Sequence, residues 1–324
     1  MEKVKVGVVG LGMMGTFHAK VYGDLSGVEL IGGVDALPEA EEKFNAELNV
    51  KKIGSLDALL DTADAVSICT PDHLHKDAAL KAFDKNVKCL IEKPLATSSA
   101  DCGAILSARP DPSYLMVGHI LRFDPRLWHA RRTVMSGAIG KVISVKIWRN
   151  NDRAGGEHFG RNTSSAWFLG VHDIDAVHFV TGERVVKVSA IGKKFFTPHY
   201  DYVAASLELT NGALVTMENG FIIPRERVSA LDAGMVIIGE HGMVELDMNH
   251  SGVRLTTAET GRSLMQDTYH WPLLGEQIHG DLRAELEAFI DAVKNNETPP
   301  VTGEDGAEAV KVIERITAFL DAGN

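Results

Sequence analysis

The stretch that most constrains this chain is Val4-Lys5-Val6-Gly7-Val8-Val9, followed without a break by Gly10-Leu11-Gly12-Met13-Met14-Gly15. A short apolar, β-branched run predicts a strand buried on both faces. The G-x-G-x-x-G pattern behind it predicts a tight turn and then a helix. Gly10 permits the turn, Gly12 lets a pyrophosphate approach the backbone, and Gly15 lets the helix lie close to the sheet. Free N–H groups at the helix start then face the phosphates, with the helix dipole behind them. A glycine-rich turn alone is common, so the context matters. An amphipathic run from Thr16 to Leu25 follows, with Phe17, Val21 and Leu25 on one face. A second strand, Val28 to Val34, ends in Asp35, where an acid meets the ribose hydroxyls of an adenosine. The whole reads as a dinucleotide-binding βαβ unit. Asp35 favours NAD over NADP, because a carboxylate repels a 2′-phosphate and neighbouring Ala36 and Leu37 give that phosphate no arginine. NADP stays open as the alternative.

A chain of 324 residues exceeds the common size of a single domain and implies two. Its 45% hydrophobic and 24% charged residues suit a globular protein with a large core. The net charge of −11 opposes non-specific binding to nucleic acid or anionic membranes, and no basic cluster is interleaved with aromatics. No apolar run approaches the ~20 residues of a membrane span. Neither nucleic acid nor membrane is expected as a partner. The three cysteines, Cys69, Cys89 and Cys102, are far apart and form no C-x-x-C, so they read as small core residues. The N-terminus runs straight into the first strand, leaving no room for a signal peptide. Together these predict a cytoplasmic protein.

Strand and helix alternate through the first third. After the first two strands come a helix Pro38 to Leu48, a short strand Val50 to Ile53, and a helix Leu56 to Asp61 capped by Ser55. Then follow a strand Ala65 to Thr70, a helix His75 to Lys85, a strand Val87 to Ile91, a helix Ser98 to Ala108 and a strand Tyr114 to Gly118. Such alternation implies a parallel sheet covered on both faces. Near Arg122 the pattern changes. A helix opens at Asp124-Pro125 and runs to Met135, after which strands dominate: Val142 to Arg149, Val185 to Ile191, Ala204 to Leu209, Ala213 to Phe221, Met235 to Gly239, Met243 to Asp247 and Val253 to Thr257. Asn211-Gly212 and His241-Gly242 mark hairpin turns, so an antiparallel sheet is expected. One helix, His172 to Thr181, lies inside that half. Two close the chain, Leu282 to Asn295 and Ala307 to Ala322, the second behind a Thr302-x-x-Asp305 capping pattern. The expected fold is α/β: a dinucleotide-binding domain over 1–121, and a second α/β domain over 122–324 with a large open, mainly antiparallel sheet.

Ligands of open parallel sheets bind beyond the carboxyl ends of the strands. That rule points to Gly10–Gly15, to Thr70-Pro71-Asp72-His73-Leu74-His75, and to Glu92-Lys93-Pro94. The backbone at Thr70 and Pro71, with His75, is placed near the nicotinamide-side ribose, though a plain turn with a helix cap accounts for Asp72 equally well. Lys93 can move a proton at a substrate oxygen if burial lowers its pKa, whereas most lysines are simply solvated. Glu92 can bond substrate or cofactor. His172, Asp173, Asp175 and His178 cluster on one helix. His172 reads as an acid–base group and His178 as structural. The spacing is not H-E-x-x-H, and no metal is expected. Trp167 and Phe168 offer aromatic faces of the kind that stack on sugars, or a piece of core. The polar, glycine-rich loop from Arg149 to Arg161 is expected to form pocket wall or plain surface.

Six pieces in order, spanning nearly the whole chain, resemble one family: Val8–Gly15, Thr70–His75, Glu92-Lys93-Pro94-Leu95-Ala96, Arg122-Phe123-Asp124-Pro125, Gly170-Val171-His172-Asp173-Ile174-Asp175 and Gly239-Glu240-His241-Gly242. They are similar to the glucose–fructose oxidoreductase, inositol dehydrogenase and rhizopine catabolism family, Gfo/Idh/MocA. The resemblance implies a Rossmann domain followed by an α/β domain whose open sheet commonly forms homodimers or homotetramers. It implies NAD or NADP, and hydride transfer at a hydroxyl-bearing carbon of a sugar, cyclitol or related polyol. It gives Lys93 a place near the reacting oxygen, His172 the acid–base role, and Asp175 contact with substrate. Arg122, Trp167 and Phe168 join the substrate-binding set, and Gly10, Leu11, Gly12, Met13, Met14, Gly15, Asp35, Thr70, Pro71, His75, Glu92 and Lys93 the cofactor-binding set. One departure stands out. The family often has aspartate four residues before the histidine, where this chain has Phe168. The Glu-Lys-Pro motif must turn sharply, so a cis Lys93-Pro94 bond is expected. Two rivals remain open on sequence alone: an NAD-using glycosidase-type enzyme, and a non-catalytic dinucleotide sensor.

Overall fold

The computed structural model describes residues 3–226, 229–249, 253–257, 263–265 and 267–323. They form two compact units, 1–120 with 270–310, and 121–269 with 311–324.

The first unit is built on a five-stranded sheet in the order β2-β1-β3-β4-β5. Its strands are β1 (Val4–Val9), β2 (Val28–Val34), β3 (Ala65–Ile68), β4 (Lys88–Glu92) and β5 (Leu115–Gly118). Every pairing is parallel, and β3 and β5 are buried at every residue, as continuous apolar runs demand. The order reverses at β1, whose neighbours are β2 and β3. That is the place in such a sheet where a crevice opens for ligand. The helices are α1 (Met13–Asp24), α2 (Pro38–Leu48), α3 (Leu56–Leu60), α4 (His75–Asp84) and α5 (Ser99–Ala108). Ser55 Oγ accepts the Ala58 N–H at 3.2 Å, the cap expected for α3. The expected strand at Val50–Ile53 does not form. Lys51 and Lys52 point to solvent there, and the chain passes Gly32, at φ +140°, without a ladder.

The second unit holds α6 (Pro125–Met135), β6 (Val142–Asp152), α7 (Arg153–Phe159) and α8 (Val171–Thr181). Then come β7 (Val185–Lys193), β8 (Tyr202–Leu209), β9 (Leu214–Ile223), β10 (Leu231–Gly239) and β11 (Met243–Asp247). Its six-stranded sheet runs β11-β10-β6-β9-β8-β7. The sheet is mixed: β6 and β9 at its centre are parallel, while the other pairings are antiparallel. Hairpin signals report only neighbours in sequence, so they could not reveal the β6–β9 pairing. Burial alternates along β8 and β9, as a sheet with one covered and one open face requires.

Residues 270–310 pack with the first unit, although their place in the chain suggested the second domain. Two features hold them there. Helix α9 (Gly280–Asn295) buries Leu282, Leu286, Phe289 and Ile290, and Thr302 bridges Met116 of β5. Helix α10 (Gly303–Asp321) opens with a capping box: Asp305 N–H donates to Thr302 Oγ1 at 3.2 Å, and Thr302 N–H donates to Asp305 Oδ2 at 3.1 Å. Among the described residues no helix is long and apolar enough to cross a membrane.

Candidate active site

The nucleotide loop has the geometry its glycines predict. Gly10 has φ +89°, and a Cβ there would meet the Thr70 backbone N at 2.6 Å. A Cβ on Gly15 would lie 1.9 Å from the Gly10 carbonyl oxygen, so only glycine lets α1 pack against the end of β1. Gly12 differs from both: a Cβ there would meet nothing within 4 Å. Its backbone is open to a ligand. No side chain caps α1, and no acid lies in its first turn. The amide groups and the positive end of the dipole therefore stay available for an anion. A pocket of about 500 Å³ opens beside Leu11, Gly12 and Met13, with Ala40 and Lys43 of α2 across from them. Met13 is exposed, and Met14 half-buried. Asp35 follows β2 and accepts the Leu11 N–H on Oδ2 at 2.7 Å and the Leu37 N–H on Oδ1 at 2.9 Å. These bonds fix the carboxylate, and each oxygen keeps a lone pair for a ribose hydroxyl. These residues fit NAD.

The two other loops at this sheet edge are tied together. His75, buried at the start of α4, lies 2.9 Å from the Thr70 carbonyl oxygen through Nε2 and 2.9 Å from that of Pro94 through Nδ1. Burial lowers its pKa, opposed by the two carbonyls. Each ring nitrogen lies within hydrogen-bond distance of a backbone carbonyl, one of which accepts the single N–H of the neutral ring, and the residue braces Thr70-Pro71 against the Glu-Lys-Pro turn. The Lys93-Pro94 bond is cis, as expected. Lys93 is half-buried. Glu92 has partners within the protein. Its Oε1 lies 3.2 Å from His18 Nε2, and its Oε2 accepts the Lys93 N–H at 3.2 Å. Its burial favours the neutral acid, but His18 and the charge of Lys93 outweigh that and hold its pKa below the ordinary value.

In the second unit, residues Ala166–Gly170 form a wide π-helical turn leading into α8. Such turns are frequent at functional sites. It carries Trp167 and Phe168, both half-buried, and His172 follows at the start of α8, also half-buried. Phe168 stacks on Phe159 of α7 with ring centroids 4.3 Å apart, and Phe221 lies 5.9 Å away. An aromatic cluster thus surrounds the position four residues before His172. Asp175 is 1% exposed and clamped by Arg122, whose Nε lies 2.9 Å from Oδ2 and whose Nη2 lies 2.6 Å from Oδ1. These two residues, both expected at the substrate, form a buried, forked ion pair that joins α8 to the segment before α6. Asp173 is likewise buried, held by Arg149 at 2.9 Å and by the Asn219 amide at 2.7 Å. Burial raises its pKa against the pull of Arg149. His178 accepts the Val185 N–H at 3.3 Å, a structural role.

Sequence reasoning missed His18 and Glu285, which reach Glu92 from α1 and α9. Both sit at charged or polar positions of amphipathic helices, which ordinarily face water. The three cysteines are free, with Cys89 and Cys102 buried.

A parallel sheet with a bare, glycine-built helix start defines a dinucleotide-binding oxidoreductase framework. Residues 4–119 match the family described as "Oxidoreductase family, NAD-binding Rossmann fold", and residues 131–319 match its "C-terminal alpha/beta domain". The chain belongs to the Gfo/Idh/MocA oxidoreductase family, and its first unit carries an NAD-binding Rossmann domain. It is 31% identical over 218 residues to UDP-N-acetylglucosamine 3-dehydrogenase of Acidithiobacillus ferrooxidans, covering 67% of each chain. It is 27% identical to scyllo-inositol 2-dehydrogenase (NAD(+)) of Bacillus subtilis, over 96% of this chain and 92% of that one. It is 28% identical to 2,7-anhydro-N-acetylneuraminate hydratase of Escherichia coli, over 89% and 79%. Among solved structures, scyllo-inositol dehydrogenase of Lactobacillus casei with bound NAD(H) and scyllo-inositol shares the fold, at TM-score 0.83 and 20% identity over 100% and 98% of the two chains.

If Asp175 serves the Arg122 clamp, Asp175→Ala leaves a buried guanidinium without its partner. Chemical denaturation should show a loss of about 3–5 kcal/mol. Unchanged stability would return Asp175 to a ligand-binding role.

Proposed function

We propose that this protein is an NAD-dependent dehydrogenase that oxidises a hydroxyl-bearing carbon of a sugar, cyclitol or related polyol, and reduces the corresponding ketone. The observation that carries the reading is the open amide cradle at Gly12, at the uncapped start of α1, with Asp35 fixed at the end of β2. Relatives that carry the names of dehydrogenases of inositols and of UDP-N-acetylglucosamine support the substrate class.

When bound, NAD supplies a two-electron acceptor at its nicotinamide ring. The chain does the rest. The amides of 12–15 bind the pyrophosphate and Asp35 the ribose hydroxyls. His172 takes the hydroxyl proton in oxidation and returns it in reduction. The Lys93 ammonium stabilises negative charge growing on the same oxygen. Trp167 and Phe168 offer apolar faces to the C–H faces of a ring.

Each acid–base group of this kind contributes about 10²–10⁴-fold to rate. Lys93→Ala and His172→Ala should each lower kcat by about that much on the best substrate of a sugar and cyclitol panel, with unchanged circular dichroism. Near-wild-type turnover in both would end the assignment. One relative is named a hydratase, so the assay follows both NADH and substrate mass. Gain or loss of water with no net NADH would replace the dehydrogenase reading.

Calorimetric titration should show NAD binding more tightly than NADP, with Asp35→Ser narrowing the gap. Tighter binding of NADP by the wild type would contradict the role given to Asp35.

We also propose a cytoplasmic homodimer or homotetramer assembled through the open face of the second sheet. That face carries a trough of about 360 Å³ floored by small residues, among them Ser189, Ala204, Ser206 and Thr216. Ile191 at its rim is 69% exposed. Light scattering on the purified protein should give a multiple of the chain mass, and Thr216→Arg should reduce it to one chain. A monomeric wild type would rule the assembly out.

A further inference from the structure

A buried cluster in the first unit has no counterpart in the chemistry above. His18 of α1, Glu92 of β4 and Glu285 of α9 each place one nitrogen or oxygen within 4.8 Å of the others. His18 and Glu285 are both 0% exposed. Two of the three have visible partners. His18 Nδ1 lies 3.1 Å from Ser67 Oγ, which lies 2.7 Å from the Tyr22 hydroxyl, and Nε2 faces Glu92. Glu92 in turn accepts the backbone N–H of Lys93. Glu285 is different. Among the described residues neither of its carboxylate oxygens has a hydrogen-bond partner.

An ionised carboxylate cannot be held that way without a large desolvation cost, and the charge beside it makes matters worse. The groups that face Glu285 can be gone through element by element. Helix α1 offers His18 and the Tyr22 hydroxyl, the residue after β3 the Cys69 thiol, and β4 Glu92. Helix α9 adds Asp281, which is committed to His270 at 2.9 Å. One imidazole thus stands against two carboxyl groups, and it already faces Glu92.

We propose that Glu285 is a neutral carboxylic acid at neutral pH, which leaves Glu92 as the single ionised carboxylate of the cluster. The chain Tyr22–Ser67–His18–Glu92 is then a positioning device for Lys93. It holds the backbone of that residue and sets one fixed negative charge beside its ammonium. Burial and the negative charges of Glu92 and Asp281 push Glu285 well above the usual carboxylate range, in agreement. Burial likewise keeps the Tyr22 hydroxyl and Cys69 thiol neutral. The link to Lys93 rests on the reading of that residue as a cation at the substrate oxygen. The protonation of Glu285 does not.

The test is chosen to separate the two. A group whose pKa is raised on folding adds stability in full below its unfolded value. That stability is lost as pH rises from there through the folded value. From about pH 5 to pH 8 the wild type should therefore lose stability relative to Glu285→Gln, with the slope of one proton bound on folding. Infrared spectra of wild-type protein carrying ¹³C-labelled glutamate should show, at neutral pH, a protonated carboxyl band that shifts with the label and vanishes in E285Q. The band alone decides the matter if E285Q fails to fold. Absence of the band, equal pH slopes, or one tightly bound divalent cation per chain by elemental analysis would each overturn the proposal. In activity, Glu92→Gln should move the alkaline limb of kcat/KM toward lower pH by about one unit, with KM for NAD little changed. An unmoved limb together with the infrared band would sink the role of Lys93 and leave the neutral Glu285 standing.

Discussion

The first unit depends on one close approach: the start of α1 lies against the carbonyl of Gly10 at Gly15, where any side chain would collide. That contact aims the first turn of α1 across the end of β1. No side chain caps the amides of that turn, and their surrounding suits an anion. Asp35 takes up the Leu11 N–H just before them and so ties the end of β2 to the loop. Asp35 and the glycine loop are thus set relative to each other by this bond and by the one from the Gly10 N–H to the Val34 carbonyl at 2.9 Å. The open space at Gly12 completes the arrangement.

A second theme is how many charged groups are buried for the sake of position. Arg122 and Asp175, Arg149 and Asp173, and Arg126 and Asp124 each form an ion pair with a carboxylate at most 1% exposed. Pairs of this kind add little net stability over an apolar replacement, yet losing one partner is costly. The first two hold α8, and the third holds the start of α6. His75 does the same in the first unit with backbone partners, holding Thr70 and Pro94 in register.

Much of the fold could be read from the chain. The parallel strands were visible as β-branched runs, α2 in its proline at the first turn, α3 and α10 in their caps. The nucleotide loop was legible because glycine is the only residue that meets its demands. What stayed hidden is long-range. The β6–β9 pairing joins strands far apart in sequence, beyond the reach of turn signals. The Arg122–Asp175 pairing is equally long-range, because an exposed and a buried carboxylate read alike until the partner, 53 residues away, is placed. Glu285 was hidden by the ordinary expectation that acids on an amphipathic helix face water. Lys93 and His172 stand out by position, one behind a buried strand and one at a helix start beside two acids, and the family resemblance gives them the same roles.

The account stands or falls on hydride transfer between substrate carbon and nicotinamide. The direct measurement is mass spectrometry of the NADH formed when the protein is incubated with NAD and polyols deuterated at their carbinol carbons. One deuterium per NADH, taken from a ring carbon of an inositol or sugar, is the predicted result. NADH formed without deuterium, or none formed across the panel while NAD still binds, would contradict it.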